Sequence, residues 1–216
     1  MPLVRRVRQH VNPLSDKYAQ PAVPPDWQSV YERPQQPLHL DIGCGKGYFL
    51  RDMAAVCPDW NFLGLEIRQP LVEQALRWRD RQRLKNLHFI FGNANNSLRP
   101  LLESWGEALQ LQRVSIQFPD PWFKKRHQKR RVVQPQLVEE LAQFMPQTGW
   151  VWLQSDIEAV AQEMCDRFGE HPGFERQGDD WLAETLLPAQ TDREQVTLAQ
   201  GKPVYRALFI RNELSV

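Results

Sequence analysis

From Pro37 onward, short apolar segments alternate with stretches in which apolar residues recur at helical spacing. Strands separated by amphipathic helices indicate βαβ units and a mainly parallel sheet. The sequence therefore predicts a Rossmann-like α/β fold with helices on both faces of the sheet. The predicted strands span residues 38–42, 61–67, 87–91, 113–118 and 150–154, and the predicted helices span 46–56, 70–84, 97–104, 135–145 and 156–168.

The two ends of the chain depart from this alternation. Residues 204–210 read as a further strand with residues 174–177 as a partner, so we expect an antiparallel pair at one edge of the sheet. The first 37 residues contain seven prolines among polar and basic residues. We therefore predict a flexible, Pro-rich basic arm over residues 1–36 and one catalytic domain over residues 37–216.

The net charge hides a segregated distribution. The chain carries 27 Lys and Arg against 26 Asp and Glu, a net charge of +1. Residues 5–8, 77–85 and 124–131 nevertheless hold 14 of those 27 basic residues. Because patches decide binding more than totals do, these windows indicate nucleic-acid contacts. In the middle window the basic residues fall at alternate positions, which spreads them around a helix, so a solvated face is an equal alternative there.

Cysteine usage and hydropathy indicate the cellular compartment of the protein. Cys44, Cys57 and Cys165 are far apart, without a CxxC pair or a histidine at metal-ligand spacing. We expect them to fill the core of a protein in a reducing cytosol, with no metal site. No apolar run approaches the roughly 18 residues that cross a bilayer, and the N-terminus lacks the apolar segment of a signal peptide. We therefore predict a cytoplasmic protein with no membrane partner.

A glycine loop follows the first predicted strand, with Gly43, Gly45 and Gly47 at alternate positions before a helix. An ordinary βα turn also uses glycine. A dinucleotide fold has G-x-G-x-x-G facing a pyrophosphate, whereas here the third glycine comes one residue early. The carboxylate of Asp41 would repel pyrophosphate but suits the sulfonium and ammonium groups of S-adenosylmethionine. The loop therefore predicts a site for that cofactor.

Polar residues also follow the next two strands. Glu66 ends the second strand, where an acid can accept hydrogen bonds from both ribose hydroxyls. A solvated acid is common at strand ends, so the indication depends on the glycine loop before it. Asn93 follows the third strand and is placed to read an adenine edge, although a turn-forming asparagine after glycine is an equal alternative.

The segment after the fourth strand, residues 118–131, reads F-P-D-P-W-F-K-K-R-H-Q-K-R-R. Prolines on either side of Asp120 exclude a regular helix, so its carboxylate lies on a stiff loop at a strand end, where α/β enzymes keep their chemistry. Residues 124–131 hold six Lys or Arg and no acid, which indicates phosphate contacts or, alternatively, a solvated face. Trp122 and Phe123 could stack on a base or simply cap the core.

The order of elements resembles that of class I S-adenosylmethionine-dependent methyltransferases. The string F-P-D-P-W-x-K-x-R-H-x-K-R-R narrows the resemblance to the bacterial tRNA (guanine-N7)-methyltransferase family, over about residues 38–211. The resemblance implies methyl transfer from S-adenosylmethionine to nitrogen 7 of a tRNA guanine, at position 46 of the variable loop. Two departures stand out: Asn93 occupies a position where many members have Asp, and Arg193 occupies one that is often aromatic.

The resemblance also implies roles for individual residues. The cofactor contacts are Asp41, Glu66, Asn93 and Asp120, and Asp120 is also catalytic. The RNA contacts are Arg126, His127, Gln128, Lys129, Arg130 and Arg131. The target-nucleotide contacts are Lys124, Asp156, Thr191, Asp192, Arg193 and Glu194.

The chemistry of guanine constrains the mechanism. Nitrogen 7 has a lone pair and no proton, so its methylation needs no general base, and Asp120 would stabilise the positive charge that develops on the purine. Nitrogen 7 lies in the deep, narrow groove of A-form RNA, so the target base must be splayed out or flipped.

Two other functions are alternatives. Methyltransferases acting on exocyclic amines normally have a D/N-P-P-Y/F tetrad after the fourth strand, where this chain has D-P-W. A non-catalytic RNA-binding subunit is opposed by the intact glycine loop and Glu66. The sequence leaves monomer and homodimer open.

Overall fold

The structure, a computed structural model, describes residues 11–108 and 110–213. Within that part, seven strands form one sheet in the order β3-β2-β1-β4-β5-β7-β6. The strands are β1 (Leu38–Ile42), β2 (Asn61–Glu66), β3 (Leu87–Phe91), β4 (Leu111–Gln117), β5 (Trp150–Ser155), β6 (Phe174–Arg176) and β7 (Tyr205–Arg211). The helices are α1 (Trp27–Val30), α2 (Tyr48–Val56), α3 (Gln69–Gln82), α4 (Ala94–Glu103), α5 (Pro135–Phe144), α6 (Glu158–Gly169) and α7 (Asp192–Ala199).

The predicted Rossmann-like sheet is confirmed. Strands β1 to β5 pair in parallel, and β7 runs antiparallel to both of its neighbours, β5 and β6. The short strand β6 is therefore outermost, with β7 one position inside the edge. The strand order reverses between β1 and β4, and in such sheets the crevice at the carboxyl ends of the strands is where ligands bind.

Two apolar clusters cover the two faces of the sheet. One contains the inward faces of α4, α5 and α6, and the other contains those of α2 and α3. Strands β1 and β2 are buried along their whole length, as expected for parallel strands with helices on both sides. The carboxyl ends of these strands are thus held between two packed layers.

Residues 16–31, which belong to the predicted N-terminal arm, pack against the domain. The indole of Trp27 is 4% exposed and stacks on Trp105 at 4.0 Å between ring centroids. The hydroxyl of Tyr31 donates to the carbonyl of Phe62 at 3.1 Å. The segment has little regular structure beyond the single-turn helix α1, but its aromatic side chains bury apolar area against the domain. The first basic window, residues 5–8, lies outside the described residues.

Helix α7 was not predicted, although a local signal for it exists. Thr191 caps its N-terminus and accepts a hydrogen bond from the backbone N–H of Glu194 at 3.1 Å. Threonine followed three positions later by glutamate is the capping-box pattern that starts a helix. The resemblance assigns these residues to nucleotide contacts, and the structure shows that they also begin a helix.

Candidate active site

A cleft lies at the carboxyl ends of the central strands and consists of two adjoining cavities. The larger is lined by the glycine loop, Asp41, Asp120, Asp156 and the segment 191–193. The smaller is lined by Val11, Pro13, Glu66, Asn93, Asn95 and Trp122, among others. Gly43, Arg68 and residues 118–120 line both cavities. The structure thus brings predicted site residues from β1, β2, β3, β4 and β5 into one continuous site.

The three glycines of the loop after β1 have different structural roles. Gly43 and Gly45 have φ angles of +83° and +58°, a backbone region that non-glycine residues rarely adopt. A Cβ atom on Gly43 would meet no other atom within 4 Å, and one on Gly45 would meet only Arg68, at 3.9 Å. Gly47 instead packs directly against the ring of Phe89. The first two glycines therefore form an open wall of the cleft, while the third allows close packing of the helix.

Asp41 places a buried carboxylate beneath this loop, 3% exposed. Its Oδ1 accepts hydrogen bonds from Ser115 Oγ at 2.6 Å and from Gln117 Nε2 at 3.3 Å. Its Oδ2 accepts none from the described residues. Burial raises the pKa of Asp41 to about 6, against the opposing effect of the two hydrogen bonds. The carboxyl thus changes charge within a physiological range of pH.

Glu66 has every acceptor position filled within the protein. Its Oε1 accepts from the backbone N–H and the Nε of Arg68 at 2.9 and 2.8 Å. Its Oε2 accepts from the Gly45 N–H at 2.8 Å and from Arg68 Nη2 at 3.1 Å. A carboxylate offers about four lone-pair positions. Ribose hydroxyls can therefore bind Glu66 only by displacing the Arg68 guanidinium.

The amide of Asn93 serves the protein backbone. Its Oδ1 accepts from the N–H of Asn95 at 3.2 Å, which caps α4. Its Nδ2 donates to the carbonyl of Pro13 at 3.1 Å, and Pro13 itself lines the smaller cavity. Asn93 therefore forms the local turn that the sequence offered as an alternative. It also holds the N-terminal segment along that cavity through Pro13.

The loop that carries Asp120 is conformationally restrained. Phe118 and Trp122 have left-handed φ angles of +49° and +42°, which are uncommon for large side chains and persist where the surroundings fix them. The guanidinium of Arg131 donates from Nε to the carbonyl of Pro121 at 2.8 Å. The carboxylate of Asp120 also interacts electrostatically with the positive charge of Arg68. The stiff loop predicted from the two prolines is thus also held by a hydrogen bond from a residue ten positions further along the chain.

Comparisons with known proteins bear on what this cleft does. A family model described as "Putative methyltransferase" matches residues 35–207. A curated tRNA (guanine-N(7)-)-methyltransferase of Trichormus variabilis is 58% identical over 212 residues, covering 98% of each chain. One of Microcystis aeruginosa is 58% identical over 205 residues, covering 94% of this chain and 97% of that one. The chain belongs to the tRNA (guanine-N(7)-)-methyltransferase family.

Solved structures of other methyltransferases share the fold. The aminoglycoside resistance methyltransferase NpmB1 superposes with a TM-score of 0.56 at 16% identity, covering 86% of this chain and 90% of that one. A methyltransferase from Pyrococcus furiosus gives a TM-score of 0.55 at 15% identity, covering 82% and 76%. At such identities the likeness shows the fold alone. Family membership thus rests on the relatives, and the resemblance seen in the 118–131 string is confirmed.

In this family member, the cationic segment next to Asp120 divides into exposed and structural parts. Lys124, Lys125, Arg126, Gln128 and Lys129 are exposed. Arg131 instead ion-pairs with Glu163 and holds the Asp120 loop. Arg130 lies over the ring of Trp122, 4.9 Å from its centroid. The RNA-binding role of residues 126–131 stays a prediction, and within the protein Arg130 and Arg131 also support the loop.

The middle basic window lies far from the cleft. Helix α3 begins next to Arg68, which lines both cavities, and its 14 residues carry the chain about 20 Å away. Residues 77–85 therefore lie toward the amino ends of the strands, away from the cleft at their carboxyl ends. Their position favours the solvated-face alternative over contact with a nucleotide in the cleft.

The segment 191–194 is divided between the cleft and the core. Arg193 donates from Nε to Oδ2 of Asp156 at 2.9 Å, and its Nη2 pairs with the same oxygen. Glu194 is 1% exposed and pairs with Arg206 at 2.7 Å. Thr191, Asp192 and Arg193 line the larger cavity. The buried ion pair of Glu194 supports this segment from within the protein, and the nucleotide contact that the resemblance implies stays a prediction.

A buried hydrogen-bond network joins that support to the carboxylate of Asp41. The Nε2 of Gln154 donates to Gln117 Oε1 at 3.0 Å and to Glu194 Oε2 at 3.2 Å. Gln117 in turn donates to Asp41. The two walls of the larger cavity are thus connected through β4 and β5. Sequence reasoning missed Gln117 and Gln154, because a glutamine within a strand carries no motif.

Other predicted features concern metals and membranes. Among residues 11–108 and 110–213, no group of three or more His, Cys, Asp or Glu side chains is arranged to bind a metal ion. In the same part of the chain, no helix is both long and apolar enough to cross a membrane. The three cysteines are free thiols; Cys165 is buried in the core, and Cys44 lines the larger cavity.

Proposed function

We propose that this protein transfers the methyl group of S-adenosylmethionine to nitrogen 7 of the guanine at position 46 of tRNA, in the cytoplasm. One observation carries the proposal beyond family membership. Asp120, the glycine loop and Glu66 line one cleft, and an exposed cationic segment follows Asp120 directly. A cation-binding pocket and a phosphate-binding rim are what methyl transfer to RNA requires.

The acceptor groups of the cleft fit S-adenosylmethionine. Asp41 Oδ2 is the oxygen left for the ammonium group, and the space in front of Gly43 and Gly45 accommodates the cofactor chain. Glu66 holds the ribose hydroxyls once Arg68 moves aside. When bound, the cofactor supplies an electrophilic methyl group on a positively charged sulfur. The smaller cavity, closed on one side by Val11 and Pro13, takes the adenine.

The protein contributes orientation and charge to the reaction. Because nitrogen 7 has no proton to remove, no side chain acts as a base. Asp120 accepts hydrogen bonds from the guanine and stabilises the positive charge that arises on the purine. Asp156, which lines the same cavity as Asp120, and the nearby Lys124 also contact the nucleotide, and the restrained loop fixes the position of Asp120. Proximity and orientation supply most of the rate.

The exposed cations hold the RNA. Lys124, Lys125, Arg126 and Lys129 follow the Asp120 loop directly, so phosphates on either side of the target nucleotide can reach them. Phosphate contacts give affinity without reading sequence. Selection of the guanine therefore falls to the shape of the cleft and to the carboxylates within it, after the base has left its stack.

Nucleoside analysis tests this function. The protein is incubated with methyl-labelled S-adenosylmethionine and unmodified tRNA, and the labelled nucleoside is identified after digestion. We expect 7-methylguanosine, and we expect no label in a matched tRNA whose guanine 46 is replaced by adenine. Label at another nucleoside would overturn the reaction assigned here. Label in 7-methylguanosine from both tRNAs would overturn only the position.

A further inference from the structure

Phe123 is a side chain of the cleft that the roles above leave unused. It is 74% exposed and lines the larger cavity together with Asp120, Asp156 and Thr191. The other exposed large hydrophobic side chains of the described residues are aliphatic. A large exposed apolar side chain at a binding cleft is informative, because its exposure costs free energy that contact with a ligand recovers.

The neighbouring Trp122 is placed differently. Its ring contacts the edge of the His127 ring, with 5.8 Å between centroids, and lies under the guanidinium of Arg130. It lines the smaller cavity, whereas Phe123 lines the larger one. The sequence left these two aromatic residues equivalent. The structure assigns Trp122 to the support of the cationic segment and leaves the face of Phe123 open to the cleft.

The backbone that carries Phe123 is held in place on its N-terminal side. The left-handed φ of Trp122 and the hydrogen bond from Arg131 to the carbonyl of Pro121 both lie within two residues of it. Phe123 follows Asp120 by three residues in the same restrained loop. A base whose edge meets Asp120 therefore finds an aromatic ring nearby in the same cavity.

We propose that Phe123 stacks on the face of the target guanine, an inference that rests on the proposed function. A base that leaves the RNA helix loses its stacking neighbours, and an aromatic side chain replaces them. Every base has a π face, so this contact gives affinity, while the carboxylates of the cleft give selectivity. Loss of one base–aromatic stack on substitution by alanine corresponds to about a 5- to 150-fold change in affinity.

Single-turnover kinetics with saturating S-adenosylmethionine test the assignment. For Phe123→Ala we expect the tRNA concentration at half-saturation to rise about 5- to 150-fold. Phe123→Tyr keeps a stacking ring and should stay close to wild type, whereas Phe123→Leu should resemble the alanine variant. Leu186→Ala is the matched control, since Leu186 is 60% exposed and does not line the cleft. Calorimetry should show unchanged cofactor affinity in all four variants.

A spectroscopic measurement separates stacking from general apolar contact. With 2-aminopurine at the methylated position of the tRNA, wild-type protein and Phe123→Tyr should quench the fluorescence of the extruded base, and Phe123→Ala should not. A leucine variant as effective as tyrosine, or an alanine variant with wild-type half-saturation, would overturn the inference. If the wild-type protein itself makes no 7-methylguanosine, the proposed function fails first, and that result is obtained before any variant is compared.

Discussion

Lowering the pH from 7 to 5 should weaken S-adenosylmethionine binding about tenfold, because Asp41 must be ionised to hold a cation. Burial raises the pKa of Asp41 to about 6, although hydrogen bonds from Ser115 and Gln117 oppose the rise. With that pKa, about nine-tenths of the carboxyl groups are ionised at pH 7 and about one-tenth at pH 5. Since only the ionised carboxyl binds the cation, the apparent dissociation constant for S-adenosylmethionine is inversely proportional to the ionised fraction.

Three ionisable groups near Asp41 keep their charge over this range of pH. Burial, with help from the charge of Arg113, lowers the pKa of His39 to about 3. Burial raises the pKa of the Cys44 thiol well above its ordinary value. Arg68 stays charged throughout. None of these three groups changes its charge between pH 5 and pH 7.

Calorimetric titrations with S-adenosylmethionine at pH 5, 6 and 7 measure the effect. Asp41→Asn should bind more weakly than wild type at pH 7 and should lose most of the pH dependence. Asp59→Asn, in an exposed position, is the matched control and should behave as wild type. Equal wild-type affinity at pH 5 and pH 7 would refute the reasoning, because Asp41 would then not be the group that holds the cation.

The same pKa shift affects the stability of the cofactor-free protein in the opposite sense. The folded-state pKa of Asp41 is raised from 3.8 to about 6, so its contribution favours folding below about pH 4 and is lost as the pH rises through 6. A shift of about two units corresponds to about 3 kcal/mol. Urea unfolding should therefore show Asp41→Asn to be more stable than wild type at pH 7, by at most that amount, with a smaller gain at pH 4.

Four further outcomes are expected. Glu66→Ala should weaken cofactor binding by about 1.5–3 kcal/mol in calorimetry; unchanged affinity would remove Glu66 from the ribose site. Replacing the four exposed cations of residues 124–129 by glutamine should flatten the salt dependence of tRNA binding by about 0.7–0.9 in log–log slope per lost contact. An unchanged slope would make the segment a solvated face. Asp120→Asn should slow single-turnover methylation at least about tenfold, or ~1.4 kcal/mol, with tRNA affinity retained; a near wild-type rate for Asp120→Ala would exclude the role. Arg206→Ala should cost about 3–5 kcal/mol in urea unfolding, because it leaves Glu194 charged and unpaired in the core; a much smaller loss would mean that Glu194 finds another partner.

The strands, the glycine loop and the loop that carries Asp120 could be predicted from local sequence alone. Short apolar segments, separated by helical stretches, predicted each of the seven strands to within two residues at either end. A parallel strand buried between two layers of helices is apolar on both faces, so it appears in the sequence as a continuous apolar run. The position of Asp41 and Glu66 at strand ends follows from the same pattern. A parallel sheet brings its strand ends to one edge, so the cleft could be located before any contact was known.

The tertiary structure decided which polar side chains face the cleft and which support it. Asp156 and Arg193 are 37 residues apart, and Glu194 meets Arg206 across α7 and β7. Such pairs depend on the packing of distant elements, and a motif records the residue type without its partner. For the same reason, Trp122 and Phe123 are equivalent in sequence, but only one of them has its face open to the larger cavity. Local pattern determined where the chemistry lies, and long-range packing determined which side chains are left to perform it.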